Sequence, residues 1–299
     1  MIKKLKEGEF VDTNEILQKV RKIEIKARGL SQNIFAGQYH SAFKGKGMAF
    51  SEVREYQFGD DVRDIDWNVT ARFHHPYVKV FEEERELTVM LLIDVSGSLD
   101  FGTTQQMKRQ LATEIAATIA FSAIENNDKI GVIFFSDRIE KYIPPKNGRK
   151  HILYIIREML DFHPQSTRTD IGMATAYLTR VMKRHCTSFI ISDFYDRKDF
   201  TKEMEIANRK HDVVAIQVYD PRAKQLPDVG LLKVLDAETG HEMYIDTSSR
   251  KLRQAHTRYW IEREDKLNTV FAKSRIDWTT IATNEDFTKA LMLLFKRRA

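Results

Sequence analysis

The sequence predicts an α/β protein built on a mostly parallel, doubly wound sheet, with a smaller N-terminal unit that is helical and β-rich. Two observations lead to this prediction. From residue 88 onward, apolar segments of strand length alternate with segments of helical periodicity, which is typical of a parallel sheet covered by helices on both faces. Several apolar segments, such as 89–93, contain no alternating polar residue, and this indicates strands that are buried on both faces.

The N-terminal region differs from the rest of the chain in its pattern. Residues 12–28 fit an amphipathic helix, because Val20, Ile23 and Ala27 fall at helical spacing, and Gly29 is expected to end it. Residues 35–84 contain glycines, aromatic residues and short β-like segments without a long helical period. The sequence therefore predicts two domains, an appended unit at residues 1–84 and a larger domain at 85–299.

The elements of the larger domain follow from periodicity and from the residues that begin and end each segment. Strands are predicted at 88–94, 129–135, 139–143, 187–193, 213–219 and 276–282. Helices are predicted at 104–126, 149–161, 170–184, 199–210, 248–274 and 285–297. A polar hairpin is predicted near 231–246, with its turn at Glu238, Thr239 and Gly240.

Composition excludes several classes of protein. The 299 residues are 42% hydrophobic and 30% charged, as in ordinary globular proteins, and no apolar stretch is long enough to cross a membrane. The basic N-terminus has no apolar segment behind it, so we expect no signal peptide. The single cysteine, Cys186, excludes an internal disulfide framework and favours a reducing compartment. A cytoplasmic protein is expected.

The charge balance gives little support to nucleic-acid binding. The 48 basic and 43 acidic residues give a net charge of +5, and much of the excess lies in the terminal segments MIKKLKEG and FKRRA. These segments lack the interleaved aromatic residues of a surface that binds single strands. The chain also lacks a GxxxxGK[ST] phosphate loop, so ATP hydrolysis by that route is not expected.

The most informative segment is LTVMLLIDVSGSLD, residues 87–100, in which an apolar run ends at an aspartate. Asp94, Ser96 and Ser98 follow the strand at alternate positions, at the edge where open α/β sheets place their ligands. A carboxylate and two hydroxyls are oxygen ligands of the kind that Mg²⁺ prefers. The alternative is that these side chains only cap the next helix.

Two later segments favour the metal site. Thr169 and Asp170 lie in the loop STRTDIGMA, and Asp193 ends the apolar strand TSFIISDF. A strand ending in DxSxS, a later Thr-Asp pair and a second strand ending in Asp resemble the metal-ion-dependent adhesion site of von Willebrand A domains, which are Rossmann-type α/β folds.

The resemblance to von Willebrand A domains implies roles for particular residues. It implies a metal held by Asp94, Ser96, Ser98 and Thr169, and by Asp193 either directly or through a water, with one coordination position open to a carboxylate of a partner. The ligand set has few charges, so we expect Mg²⁺ or Mn²⁺ to bind weakly. Asp100 and Asp170, which lie beside the ligands, are predicted to contribute to partner binding.

A second acidic segment, FGDDVRDIDW, has two interpretations. It concentrates four carboxylates in seven residues, namely those of Asp60, Asp61, Asp64 and Asp66. They could form a second cation site of the nuclease type. Alternatively, they stabilise a tight turn at Gly59 by pairing with neighbouring arginines and capping backbone groups, with Trp67 packed on the turn. We favour the structural interpretation, because metal nucleases spread their carboxylates over several elements.

This acidic segment carries a further resemblance. The stretch EVREYQFGDDVRDIDWNVTARFHHPYVKVFEEE, followed by the DxSxS strand, resembles a bacterial von Willebrand A-like domain-of-unknown-function family encoded beside MoxR-type AAA+ ATPases, over residues 45–200. The resemblance implies a cytoplasmic protein without established enzymatic activity that is a partner in ATPase-driven, chaperone-like maturation or regulation of other proteins. One departure is Leu99, where methionine is commoner in that family.

The predicted function is therefore a metal-dependent protein–protein interaction module and not an enzyme. Its expected partner is a MoxR-type AAA+ ATPase or a client protein of that ATPase, bound through an acidic residue. The alternative is a metal-dependent phosphoesterase that uses Asp94, Asp193 and the Asp60–Asp66 cluster.

Overall fold

A computed structural model describes residues 13–35, 49–82, 87–100, 107–237 and 240–298. The chain divides into a larger unit of residues 1–43 and 88–299 and a smaller unit of residues 44–87. The prediction placed the N-terminal helix in an appended unit at residues 1–84, whereas this helix belongs to the larger unit.

The described helices and strands are numbered here in chain order. The helices are α1 (Thr13–Phe35), α2 (Trp67–Phe73), α3 (Lys108–Glu125), α4 (Arg149–Asp161), α5 (Ile171–Val181), α6 (Thr201–Lys210), α7 (Pro221–Lys224), α8 (Arg250–Lys273) and α9 (Phe287–Arg298). The strands are β1 (Ala49–Glu55), β2 (Tyr77–Glu82), β3 (Thr88–Asp94), β4 (Lys129–Phe135), β5 (Ile139–Lys146), β6 (Thr187–Ser192), β7 (Asp212–Tyr219), β8 (Leu231–Leu235), β9 (Glu242–Asp246) and β10 (Asp277–Ala282).

The larger unit is built on a six-stranded sheet in the order β10-β7-β6-β3-β4-β5. Every neighbouring pair is parallel except β4 and β5, which are antiparallel. The predicted fold class, an α/β protein with a mostly parallel sheet, is confirmed. From β3 the chain proceeds to β4 on one side and later returns through β6 on the other side, so the strand order switches between β3 and β6.

The strands at this switch point are fully buried. Leu91 and Leu92 of β3 and Phe189 and Ile190 of β6 have no exposed surface, as the absence of alternating polar residues predicts. Helix α3 is buried along most of its length, because its small alanine side chains allow close packing. The carboxyl ends of β3 and β6 are therefore held by a rigid, close-packed core.

Helix α1 differs from its prediction in length and in packing. It continues past Gly29, where it was expected to end, and reaches Phe35. A glycine inside a helix costs only about 1 kcal/mol relative to alanine. Packing of Val20, Ile23 and Ala27, which are buried, and an ion pair of 2.6 Å between Lys26 and Glu114 of α3 offset that cost.

Other element boundaries follow the predictions within a few residues. Helix α3 begins at Lys108, and residues 104–106, where the predicted helix begins, lie outside the described residues. Strand β5 extends to Lys146, three residues beyond its predicted end. The predicted hairpin is formed by β8 and β9, but Glu238 and Thr239 of its turn lie outside the described residues. No described helix combines the length and the apolar character that crossing a membrane requires.

The smaller unit pairs β1 and β2 antiparallel, and the acidic segment lies between them. Asp60 accepts two hydrogen bonds from the Arg54 guanidinium, at 2.7 and 2.8 Å, and a third from the backbone N–H of Gln57. Asp61 pairs with Arg63 at 2.6 Å. These carboxylates therefore stabilise a turn, as the structural interpretation expects, although Trp67, which was expected to pack on the turn, is 67% exposed.

Asp66 has a separate role as the N-cap of α2. Its carboxylate accepts hydrogen bonds from the backbone N–H groups of Asn68 and Val69, at 3.0 and 3.2 Å, and lies 3.6 Å from the Lys79 ammonium. The hydrogen bonds from these N–H groups hold the pKa of Asp66 below its ordinary value. The short helix α2 therefore depends on this side chain for its first turn.

We predict that Asp66→Ala destabilises α2 while Asp64→Ala does not. Loss of the cap leaves two backbone N–H groups without their acceptor, so amide hydrogens of residues 67–73 should exchange faster in Asp66→Ala. Asp64 is the matched control, because its carboxylate is exposed and caps no described helix. Equal exchange rates in the two variants, measured by mass spectrometry, would contradict the capping role.

Candidate functional site

Two aspartates lie at the point where the strand order of the sheet switches. Asp94 is the last residue of β3, and Asp193 directly follows Ser192 at the end of β6. Because β3 and β6 are adjacent and parallel, their carboxyl ends lie at the same edge of the sheet. Asp94 is 1% exposed and Asp193 is 6% exposed. Asp94 and Asp193, which the resemblance assigns to one metal site, therefore lie at the same edge of the sheet.

Asp94 is held by short local hydrogen bonds. Its Oδ1 accepts from the backbone N–H of Ser96 at 2.9 Å, and its Oδ2 accepts from the Ser192 hydroxyl at 2.5 Å. Burial and the negative charge of Asp193 nevertheless raise the pKa of Asp94 to about 7. In the metal-free protein this carboxyl group is therefore partly protonated near neutral pH.

Asp193 is engaged by a lysine. Lys108, the first residue of α3, donates from Nζ to Asp193 Oδ2 at 2.6 Å, and the backbone N–H of Tyr195 donates to Oδ1 at 3.0 Å. Burial alone would raise the pKa of Asp193, but the charge and the hydrogen bond of Lys108 outweigh it and lower that pKa. Asp193 is therefore the ionised member of the two aspartates.

The loop after Asp94 brings two hydroxyls together. Ser96 and Ser98 are buried, and their Oγ atoms are 3.1 Å apart. Between them, Gly97 permits a close approach of other segments, since a Cβ at this position would lie 2.4 Å from the carbonyl oxygen of Ala237 and 3.1 Å from Cβ of Thr167. Any larger residue at position 97 would force these segments apart.

The loop that carries Thr169 is hydrogen-bonded to the loop that follows Asp94. The backbone N–H of Gly97 donates to the carbonyl of Thr167 at 3.0 Å. Glu140 holds the start of this loop, because its carboxylate accepts hydrogen bonds from the backbone N–H groups of Gln165 and Ser166, each at 3.1 Å. Thr169 itself is buried, and its hydroxyl Oγ1 has no hydrogen-bond partner in the described part of the chain.

The donor set fits a hard divalent cation. An unpaired buried hydroxyl such as Thr169 Oγ1 is costly, and a cation ligand is one role that accounts for it. The other donors, on Asp94, Ser96, Ser98 and Asp193, are all oxygens. Across the ranges that the structure describes, no three His, Cys, Asp or Glu side chains are grouped as a metal site, so any metal here would depend on hydroxyl ligands and bind weakly.

Of the two residues that were predicted to bind a partner, the structure describes the side chain of Asp170 and not that of Asp100. Asp170 accepts a hydrogen bond from the backbone N–H of Met173 at 2.8 Å and so caps α5, and its other carboxylate oxygen pairs with Lys198. Both interactions give Asp170 a structural task, and its role in partner binding stays a prediction. The side chain of Asp100 lies outside the described residues.

Cys186 does not offer a nucleophile. Its thiol is buried and lies 3.4 Å from Nδ1 of His211. Burial raises the pKa of Cys186 to about 12 and lowers the pKa of His211 to about 4, so at neutral pH the pair is uncharged. Cys186 is a small buried side chain of the core.

Three residues of the site were not identified from the sequence, namely Lys108, Glu140 and Ser192. Lys108 and Asp193 are 85 positions apart, and no local pattern joins them. One signal was present, since a cation in the first turn of a helix opposes the helix dipole and needs a compensating anion. Ser192 and Glu140 act through contacts that only the folded chain brings about.

Comparison with known families identifies one match that covers most of the chain. The family model described as "Protein of unknown function DUF58" matches residues 52–266. "Uncharacterized protein Rv1480" of Mycobacterium tuberculosis is 34% identical over 244 residues, which are 80% of this chain and 77% of that protein.

Solved structures of similar proteins were found at low sequence identity. An aerotolerance-related membrane protein from Bacteroides fragilis is 15% identical, with a TM-score of 0.49 over 71% of this chain and 99% of that chain. A von Willebrand factor type A protein from Catenulispora acidiphila is 13% identical, with a TM-score of 0.36 over 48% of this chain and 35% of that chain. At these scores we draw no functional argument from them.

We predict that the metal-free protein loses stability as pH rises through the pKa of Asp94. The folded state holds the proton with a pKa of about 7 and the unfolded state with the ordinary value of 3.8, so the folded state binds more protons between these values. Stability should fall as pH rises from about 4 to about 7. Asp94→Asn removes the ionisation and should abolish this contribution, which is at most about 4 kcal/mol.

The measurement is urea unfolding in EDTA at pH 5 and pH 8 for the wild type and Asp94→Asn. The free energy of unfolding of the variant should exceed that of the wild type by more at pH 8 than at pH 5. A constant difference between the two proteins across this range would contradict the raised pKa of Asp94.

Proposed function

This chain belongs to the DUF58 family of proteins of unknown function, and we propose that it is a metal-dependent protein-interaction module. The observation that supports this proposal most directly is the buried Thr169 hydroxyl without a partner, in a loop bonded to the loop of Ser96 and Ser98. An interaction role also accords with the α/β fold, whose switch-point edge presents the site at the ends of the strands.

In this proposal Asp94, Ser96, Ser98 and Thr169 hold Mg²⁺ or Mn²⁺. Asp193 contributes directly or through a water, and Ser192 orients Asp94 through its 2.5 Å hydrogen bond. When bound, the ion supplies a coordination position for a carboxylate of the partner. The chain itself holds the ligand loops in place through Gly97 and Glu140, so little ordering is needed when a partner arrives.

The proposal does not include catalysis. A phosphoesterase that used the Asp60–Asp66 cluster would need those carboxylates available, whereas Asp60, Asp61 and Asp66 are engaged by Arg54, by Arg63 and by the first turn of α2. The geometry therefore favours binding over the phosphoesterase alternative.

The partner that we propose is a protein with an exposed acidic side chain, either a MoxR-type AAA+ ATPase or one of its client proteins. This choice rests on the resemblance of the GDDxRxIDW segment to proteins encoded beside such ATPases. We propose a cytoplasmic location for the complex, which accords with a single free and buried cysteine, Cys186.

We predict that Thr169→Val weakens metal binding without lowering the stability of the metal-free protein. Valine matches threonine in shape and removes a hydroxyl that has no described partner, so the metal-free protein should be equally stable or more stable. Calorimetric titration with Mn²⁺ should show affinity at least about tenfold weaker than in the wild type.

Thr179→Val is the matched control, because its hydroxyl donates to the carbonyl of Ala176 within α5 at 2.8 Å. Mn²⁺ affinity should be unchanged in this variant. Equal Mn²⁺ binding by Thr169→Val and the wild type would remove Thr169 from the site, and the absence of Mn²⁺ and Mg²⁺ binding by the wild type would refute the metal site itself.

We also predict that partner binding depends on the metal and on Asp94. A purified MoxR-type ATPase from the same organism should bind the immobilised wild type in Mg²⁺, and EDTA or Asp94→Ala should release it. Thr179→Val should retain the ATPase. Retention of the ATPase by Asp94→Ala in EDTA would show that the interface lies elsewhere on the molecule.

A further inference from the structure

Lys108 is a cation inside the proposed divalent-cation site. Its side chain and that of Asp193 are each 8% exposed, and Nζ lies 2.6 Å from Asp193 Oδ2. Among the described residues, most ion pairs have at least one side chain that is well exposed, as in the pair of Lys141 and Glu158, whose side chains are 36% and 22% exposed. The pair of Lys108 and Asp193 is therefore a buried one, whose energetics are dominated by desolvation.

The position of Lys108 in its helix is unfavourable without Asp193. It is the first residue of α3, where the backbone N–H groups and the helix dipole repel a positive charge. The carboxylate of Asp193 compensates the charge of Lys108. In return, the Lys108 ammonium reduces the repulsion between Asp193 and the buried Asp94. Lys108 thus does electrostatically what a bound cation would do at the same carboxylate.

A second cation, Arg263, contacts the backbone of Asp193 and not its carboxylate. Arg263 donates to the backbone carbonyl of Asp193 at 3.1 Å. Its guanidinium lies over the rings of Tyr195 and Trp260, 4.5 and 4.8 Å from their centroids. These contacts hold Arg263 at the backbone, so the charge that directly opposes the Asp193 carboxylate is that of Lys108.

We propose that Lys108 is a resident cation that competes with the divalent metal for Asp193 and so sets the metal affinity of the site. This inference rests on the proposed function and adds its regulation. In the metal-free protein the ammonium holds Asp193 and keeps the two carboxylates together. Direct binding of a divalent ion to Asp193 requires the ammonium to leave, because two cations cannot share one buried carboxylate without strong repulsion.

The test is to titrate three proteins with Mn²⁺, namely the wild type, Lys108→Met and the control Lys141→Met. The electron paramagnetic resonance signal of the free ion reports how much Mn²⁺ remains unbound. Methionine keeps the length and the apolar stem of lysine and removes the charge. Mn²⁺ affinity should rise at least about tenfold in Lys108→Met, because the competing charge is gone. It should be unchanged in Lys141→Met, which breaks an ion pair with Glu158.

A second readout is thermal stability. Without metal, Lys108→Met should melt at a lower temperature than the wild type, because Asp193 loses its counter-ion, and Mn²⁺ should raise its melting temperature by more than it raises that of the wild type. In Lys108→Arg the positive charge is kept, and a guanidinium can donate two hydrogen bonds to one carboxylate. This variant should therefore bind Mn²⁺ no more tightly than the wild type. This variant tests the inference if Lys108→Met does not fold.

The outcomes separate this inference from the proposed function. If the wild type binds Mn²⁺ and Lys108→Met binds it equally or more weakly, the competition is refuted and the metal site stands. The same holds if Lys108→Arg binds Mn²⁺ more tightly than the wild type. If neither the wild type nor Lys108→Met binds Mn²⁺, both proposals fall. Binding by Lys108→Met alone would support the competition and refute metal dependence in the wild type.

Discussion

Two aspartates buried at adjacent strand ends are the constraint on which the rest of the site depends. Asp94 and Asp193 cannot both be ionised in a water-excluded place without a cation or several hydrogen bonds to compensate. The protein supplies Lys108 to Asp193, and it supplies the Ser192 hydroxyl and the Ser96 N–H group to Asp94. In this arrangement Lys108 is the counter-ion of Asp193, and the divalent ion of the proposed function would compete with it for that carboxylate.

The sheet topology creates this constraint. Because β3 and β6 are parallel neighbours at the switch of the strand order, the residues that end them converge without any special loop. The loops then add hydroxyls to this edge. Gly97 allows Ala237 and Thr167 to approach closely, and Glu140 fixes the start of the loop that carries Thr169. Rigid strands therefore position the carboxylates, and backbone hydrogen bonds position the hydroxyls.

The sequence predicted what is local or periodic, and it failed where distant segments meet. Asp94 and Asp193 could be identified because each ends an apolar run, and the alternation of strands and helices was enough for the fold class. Lys108 could not be paired with Asp193 from a local pattern. Nor could the packing of α1 against α3 be predicted, since an amphipathic helix does not specify which surface covers it. The exposure of Trp67 shows the same limit, because a large aromatic residue beside a turn was expected to pack.

The central claim is that one divalent-cation site lies at the ends of β3 and β6. The most direct measurement is an anomalous difference map from crystals of the wild type soaked in Mn²⁺, recorded on both sides of the manganese absorption edge. The account predicts one peak within about 2.0–2.6 Å of the hydroxyl oxygens of Ser96 and Ser98. A peak at the carboxylates of the Asp60–Asp66 cluster, or no peak at a Mn²⁺ concentration that saturates binding in solution, would contradict it.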